Sequence, residues 1–180
     1  MPENETTLSP ASQEKARRAA ALAYEFEQKY GSCPQCVLEA INQAVMPVSD
    51  DLFKASHALA GGGVLYGVGS CGALVGGILA LGNRFGRDRA HFDKGRRLTS
   101  YQKAKRLYDR FVAEYGGPTC ATVQTRTFGR SFNLWEKEDH DAFEAAGGHV
   151  DKCTRVAANV AQWAAEILLE DEERTQGRKP

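Results

Sequence analysis

From Gly61 to Gly82 the chain carries no charged residue, and nine of those 22 residues are glycine. A stretch this apolar must be buried in a core or in a bilayer. It is long enough to span a membrane, and the Gly63/Gly67 and Gly72/Gly76 pairs match the small-residue spacing of membrane helix contacts. So much glycine, however, makes a weakly hydrophobic and poor continuous helix. The flanking segments are amphipathic and offer a soluble core for it. No membrane span is therefore expected. The triple glycine 61–63 predicts a break, residues 64–69 an irregular connection, and Cys71 the start of a tightly packed helix. Small residues at Gly72, Ala73, Gly76, Gly77 and Ala80 leave a groove for neighbouring helices.

Elsewhere apolar residues recur at helical spacing. Ala16, Ala19, Ala20, Ala23, Phe26 and Tyr30 predict a helix capped by Ser12 and stopped at Gly31. Ser32 with Gln35 reads as a capping box, and Pro34 suits a first turn. They open a helix to about Met46 whose apolar stripe holds Cys33, Cys36, Val37, Ala40, Ile41, Ala44 and Val45, and at its entrance the helix dipole is expected to lower the Cys33 thiol pKa. Further helices are predicted from Asp50 to Ala60, from Thr99 or Ser100 to Tyr115, after Thr119, around residues 139–146, and from His149 to Glu170. No segment alternates with β-branched enrichment. The fold class is thus all-α, a compact bundle of about six or seven helices around the glycine-rich one. Residues 1–11 read as a disordered lead, 12–170 as a single domain, and 171–180 as a charged flexible tail.

The 23 basic and 23 acidic residues cancel, so overall charge points to no nucleic-acid partner. Between Arg84 and Arg110, however, ten basic residues face only Asp88, Asp93 and Asp109. Such a cluster is a solvated face, or a docking patch for an acidic redox partner. The polar, acidic start of the chain has no apolar core of the kind a secretory signal needs, so a cytoplasmic location is expected. There, five cysteines argue for metal binding or redox chemistry rather than structural disulfides.

Three arrangements of those cysteines carry chemistry. Cys36, Cys71, Cys120 and Cys153 lie on separate helical segments and together offer the four thiolates that an iron–sulfur cluster or structural zinc takes. Cys71 and Cys120 follow glycine-rich breaks near helix starts, where the dipole favours thiolates. Buried cysteines that serve only as small hydrophobes are the plain alternative. Cys33-Pro34-Gln35-Cys36, at a helix entrance, has the spacing of a reversible disulfide. The strand context of a thioredoxin motif is missing. Finally, His149 and Cys153 are four apart on one predicted helix, and with His57 they suggest a mixed Cys/His zinc site. Val37 follows Cys36, so there is no haem-attachment sequence, and no P-loop, dinucleotide-binding or nucleophile-elbow pattern occurs.

Cys36 within Cys36-Val37-Leu38-Glu39-Ala40, Cys71 within Ser70-Cys71-Gly72-Ala73-Leu74-Val75-Gly76, and then Cys120 and Cys153, follow one another over roughly residues 30–165. In this the chain resembles the redox-active protein family named for its C…GCAxxG…C…C pattern. Ser70 stands where the motif name has glycine, Gly72 precedes Ala73, and Cys33 is an additional thiol. The family's first cysteine is thus Cys33 or Cys36, with Cys36 favoured because it precedes the aliphatic stretch. The resemblance implies redox activity through these cysteines. A related domain occurs in split-Soret cytochromes, which carry haem and an iron–sulfur centre. Only the cluster-type site is implied here.

The chain is therefore expected to be an electron-transfer protein. An iron–sulfur cluster, of [2Fe–2S] type, would sit on Cys36, Cys71, Cys120 and Cys153, with an acidic redox partner on segment 84–110. The alternatives are a metal-free thiol–disulfide oxidoreductase or redox sensor using Cys33 and Cys36, with Cys71 as a third participant, and a structural zinc protein. A homodimer sharing the centre is a further option.

Overall fold

The computed structural model describes residues 8–95 and 97–177. Residues 1–7 of the expected lead, Arg96 of the basic segment and residues 178–180 of the expected tail lie outside that range. Among the described residues there are eight α-helices and no strand, one or two helices more than the expected six or seven. They are α1 (Pro10–Tyr30), α2 (Cys33–Ala44), α3 (Asp50–Ser56), α4 (Gly72–Phe85), α5 (Leu98–Tyr115), α6 (Cys120–Phe128), α7 (Lys137–Ala145) and α8 (Cys153–Gln176).

Helix α1 packs along α8, with α2 against α1 and α4, and α4 also against α5 and α8. Small residues allow this. The buried face of α1 is Ser12, Ala16, Ala19, Ala23 and Glu27, and that of α8 includes Ala157, Ala161, Ala164 and Ala165. Side chains this short let two helix axes come close along several turns. The remaining volume is filled by Val37, Leu38 and Ile41 of α2, Leu74 and Leu81 of α4, and Leu107 and Phe111 of α5, all of them buried in one core.

Helix α4 is the central element that the glycine-rich run predicts. It occupies only the second part of that run, and no described helix is long and apolar enough to cross a membrane. A Cβ on Gly76 would stand 2.7 Å from Pro34 O and 2.9 Å from Pro34 Cα, so α2 lies directly on the α4 backbone. On the opposite side, a Cβ on Gly77 would stand 2.7 Å from both Leu107 Cδ2 and Val160 Cγ1.

Several helix ends differ from expectation. Ser9, not Ser12, caps α1, because Pro10 begins the helix and the Ser9 hydroxyl accepts from the Ser12 N–H at 3.2 Å. Ser32 forms no capping box. The connection from α1 to α2 holds it in the left-handed region (φ 60°), which turns its hydroxyl away from the first turn. Helix α5 starts at Leu98, ahead of Thr99 and Ser100. Residues 148–152 form a π-helical turn ahead of α8, so His149 is not on the last α-helix, and that helix continues past Glu170 to Gln176.

Three basic residues of the segment pair with acids of α8. Arg106 reaches Glu170 at 2.8 Å, Arg110 reaches Glu166 at 2.7 Å and Lys103 reaches Asp171 at 3.6 Å, which ties α5 to α8. The two part-exposed arginine pairs hold register more than they add stability, and the Lys103–Asp171 pair is the more buried of the three.

Gly76→Ala is expected to destabilise the fold by about 1–3 kcal/mol, since backbone on both sides must move. Gly82→Ala, on the same helix with nothing within 4 Å of the added carbon, should instead stabilise by about 0.5–1 kcal/mol. Urea unfolding of the two variants checks both; equal effects would mean that α2 does not rest on α4 at Gly76.

Candidate functional site: a buried cysteine centre

Cysteines occupy the starts of four helices. Cys33, Cys120 and Cys153 are the first residues of α2, α6 and α8, and Cys71 is the N-cap of α4. A short antiparallel contact joins two of them. The Cys71 N–H donates to Pro118 O at 2.7 Å, the Cys120 N–H donates to Gly69 O at 3.0 Å, and Ser70 bridges to Thr119 between them.

The glycine-rich connection makes this contact. Gly61, Gly62, Gly63, Val64, Leu65 and Gly67 all have positive φ, a tight coil that brings the chain back on itself. Gly62 O accepts from the Gly69 N–H at 2.9 Å. A Cβ on Gly62 would stand 2.9 Å from Cys120 Cβ, so here glycine is required by space as well as by φ. Gly72 does the same for α2, since its Cβ would stand 3.0 Å from Cys33 Sγ.

Burial pushes every one of these thiols up. For Cys33 the negative charges of Glu27, Cys71, Cys153 and Cys120 add to burial and hold it well above the usual thiol range. Cys153 is likewise raised by burial and then by Cys71, Glu27 and Cys120. Cys120 is pushed up to about 12 by burial and by Cys71, against a weak hydrogen bond from the Gln124 amide. Cys71 reaches only about 11, because the Ala73 and Leu74 N–H groups at the α4 N-terminus partly offset its burial. Geometry ties three of them: a Cβ on Gly72, next to Cys71, would stand 3.0 Å from Cys33 Sγ, and the Cys71 and Cys120 backbones pair through Pro118 and Gly69; the charges of Cys71, Cys153 and Cys120 all raise Cys33.

Cys36, the expected first member, is not among them. It lies a turn further along α2, where its thiol donates to Gly31 O at 2.7 Å. Burial and the Glu27 charge raise it. The structure thus sets the Cys33 sulfur against Gly72, next to Cys71, and turns the Cys36 thiol to Gly31 O. The position on the helix decides this, because the first residue of α2 faces the start of α4.

Glu27 is the residue that the sequence pattern missed. It is fully buried, and neither carboxyl oxygen has a hydrogen-bond partner. Burial raises its pKa, while the nearby Cys36 thiol, His149 and the Cys33 thiol draw it back down. His149 Nε2 stands 3.8 Å from Glu27 Oε1, and His149 Nδ1 pairs with Glu144 Oε1 at 2.6 Å. The signal was present in the sequence, since Glu27 continues the Ala16, Ala19, Ala23 spacing and so occupies a core position.

The histidines gather no metal site. His149 sits in the π-helical turn and pairs with carboxylates, and His57 is exposed beside α3. Among the described residues no group of three or more His, Cys, Asp or Glu side chains is placed to hold a metal ion.

Residues 31–167 match the family model described as "Putative redox-active protein (C_GCAxxG_C_C)". The match contains all five cysteines and stops short of Glu27. Neither the curated proteins nor the solved structures include a match to the chain.

Folding must leave Glu27 protonated or bear the cost of a buried charge. Its folded pKa is raised from the ordinary 4.5, so its contribution to stability is complete below that value and is lost as pH rises through the folded pKa. Glu27→Gln is therefore expected to be more stable than the parent chain at neutral pH, with the gap closing in acid. Denaturant unfolding at several pH values checks this; a gap independent of pH would mean that Glu27 ionises as freely in the fold as outside it.

Proposed function

We propose, for a chain that belongs to the C_GCAxxG_C_C family of redox-active proteins, that Cys33 and Cys36 form a dithiol–disulfide couple with Glu27 as its proton acceptor. One observation carries this reading. The buried Glu27 carboxyl, without a hydrogen-bond partner and 3.8 Å from His149 Nε2, lies by both thiols and shifts the pKa of each. Residues three apart on a helix are neighbours and close enough to be bridged.

The chemistry follows from burial. A thiol must lose its proton before it attacks a disulfide, and neither thiol does so unaided at neutral pH. Glu27 is fitted to take that proton, because burial makes it a stronger base than an ordinary carboxylate. Oxidation of the pair removes two electrons and two protons as the Cys33–Cys36 S–S bond forms. The electrons pass to a partner disulfide, which is reduced to two thiols.

The convergence of Cys33, Cys71, Cys120 and Cys153 favours a second reading, in which these four thiolates hold an iron–sulfur cluster. The donor chemistry fits, with four thiols from four helix starts in a buried site and a cation to offset the cost of ionising them. A bound cluster supplies one-electron transfer. The thiols would have to turn toward the metal, since as placed they do not close on one ion.

Anaerobic purification followed by iron, zinc and acid-labile sulfide analysis and a thiol titration tests both readings. A colourless protein with a reversible two-electron couple, lost in Cys33→Ser and in Cys36→Ser, is expected. Iron with sulfide, retained in Cys36→Ser and lost in Cys71→Ser, would replace the dithiol reading with the cluster. Stoichiometric, redox-silent zinc would sink both.

A further inference from the structure

The cysteine pair has an access route of its own. A cavity of about 340 Å³ lies between the end of α1, α2 and α3, and Cys36 is among its lining residues. Its apolar wall is aromatic, from Phe26, Tyr30 and Phe53. Tyr30 is 74% exposed and stands at the rim. Ser32, also in the lining, has a buried hydroxyl with no hydrogen-bond partner. Cys33 is not in the lining; its sulfur lies on the other side, against Gly72. The two thiols of the couple are therefore not equivalent: Cys36, 3% exposed, forms part of the cavity wall, and half-buried Cys33 does not.

Charge narrows the occupant. The lining carries the Glu39 carboxylate and His57, and no lysine or arginine. The Glu39 oxygens accept from the Gln43 and Asn42 amides at 2.7 and 3.2 Å, which hold the carboxylate in place without neutralising it. Glu27, behind Cys36, adds no positive charge. A cavity walled by aromatic rings and edged by a carboxylate attracts cations and repels anions.

We propose that this cavity is the entry site for low-molecular-weight disulfides of neutral or positive charge, and that Cys36 is the thiol they meet first. The proposal rests on the dithiol reading of the site. The sulfur of Cys36 attacks one sulfur of the substrate, the substrate S–S bond breaks, and the first small thiol leaves with the Cys36 proton. Cys33 then attacks the Cys36 sulfur of the mixed disulfide. The second small thiol leaves with the Cys33 proton, and the Cys33–Cys36 bond remains. Two protein thiols are oxidised and one substrate disulfide is reduced to two thiols.

Two aliphatic disulfides of similar size and opposite charge test this on the full chain. Cystamine is a dication and 3,3′-dithiodipropionate is a dianion. Each rate is normalised to its reaction with a small free thiol. The unmodified protein is expected to react about tenfold faster with cystamine than with the dianion. Cys33→Ser should trap a single adduct on Cys36, located by mass spectrometry. Glu39→Gln, an isosteric change at a half-buried position, should bring the two normalised rates together. Equal rates in the unmodified protein, or an adduct on a different cysteine, would overturn the entry site while leaving the couple intact. Failure of both disulfides and of diamide to form any Cys33–Cys36 bond would instead remove the couple, and the entry site with it.

Discussion

The closeness of α2 to α4 is the contact on which the site depends. Gly76 lets the first turn of α2 rest on the α4 backbone at Pro34, and Gly72 leaves room for the Cys33 sulfur beside the α4 N-terminus. Any Cβ there would push α2 outward and carry Cys33 away from Cys71. The coil at Gly61–Gly67 makes the matching contact on the other side, where Gly62 meets Cys120. Small residues in the middle of the fold are thus what lets cysteines from distant parts of the chain share one environment.

That environment is one in which negative charge is costly. The charges of Cys71, Cys153 and Cys120 raise Cys33, and Glu27 raises Cys33, Cys36, Cys71, Cys120 and Cys153. The α4 N-terminus partly offsets this by aiming N–H groups at Cys71, as the Gln124 amide does at Cys120. The group therefore holds its protons until something removes them, a base or a cation. The two functional readings correspond to those two agents, and the buried Glu27 carboxyl lies beside the Cys33 and Cys36 thiols. His149 and Glu144 extend from Glu27 toward the surface, which gives the buried carboxyl a polar neighbour in an otherwise apolar setting.

Some residues read differently once packed. The net positive charge of segment 84–110 looks like an open patch along the chain, yet Lys103, Arg106 and Arg110 meet acids of α8 that lie far away in sequence. Ser32 has the residue type and spacing of a helix cap, but the two-residue connection at Gly31–Ser32 needs a left-handed backbone there. His149 and Cys153 have the spacing of one α-helical face, but the π-helical turn between them changes the angle at which each projects. In each case local pattern was overruled by a constraint from elsewhere in the fold.

The sequence by itself determined the helical class, the central place of the glycine-rich helix and the importance of the cysteines. Those follow from periodicity, from the absence of charge between Gly61 and Gly82, and from thiols placed beside helix breaks. Glu27 was legible in part, as a carboxylate at a core spacing, although nothing in the chain said what it would face. Only the tertiary structure decided that the Cys33 sulfur lies against Gly72, next to Cys71, while Cys36 lines a cavity. The reason is geometric. Cys33 and Cys36 are neighbours on α2, one turn apart along its axis, and which helix or cavity each meets depends on how closely the other backbones approach. That approach is set by contacts between residues dozens of positions apart, which no local spacing records.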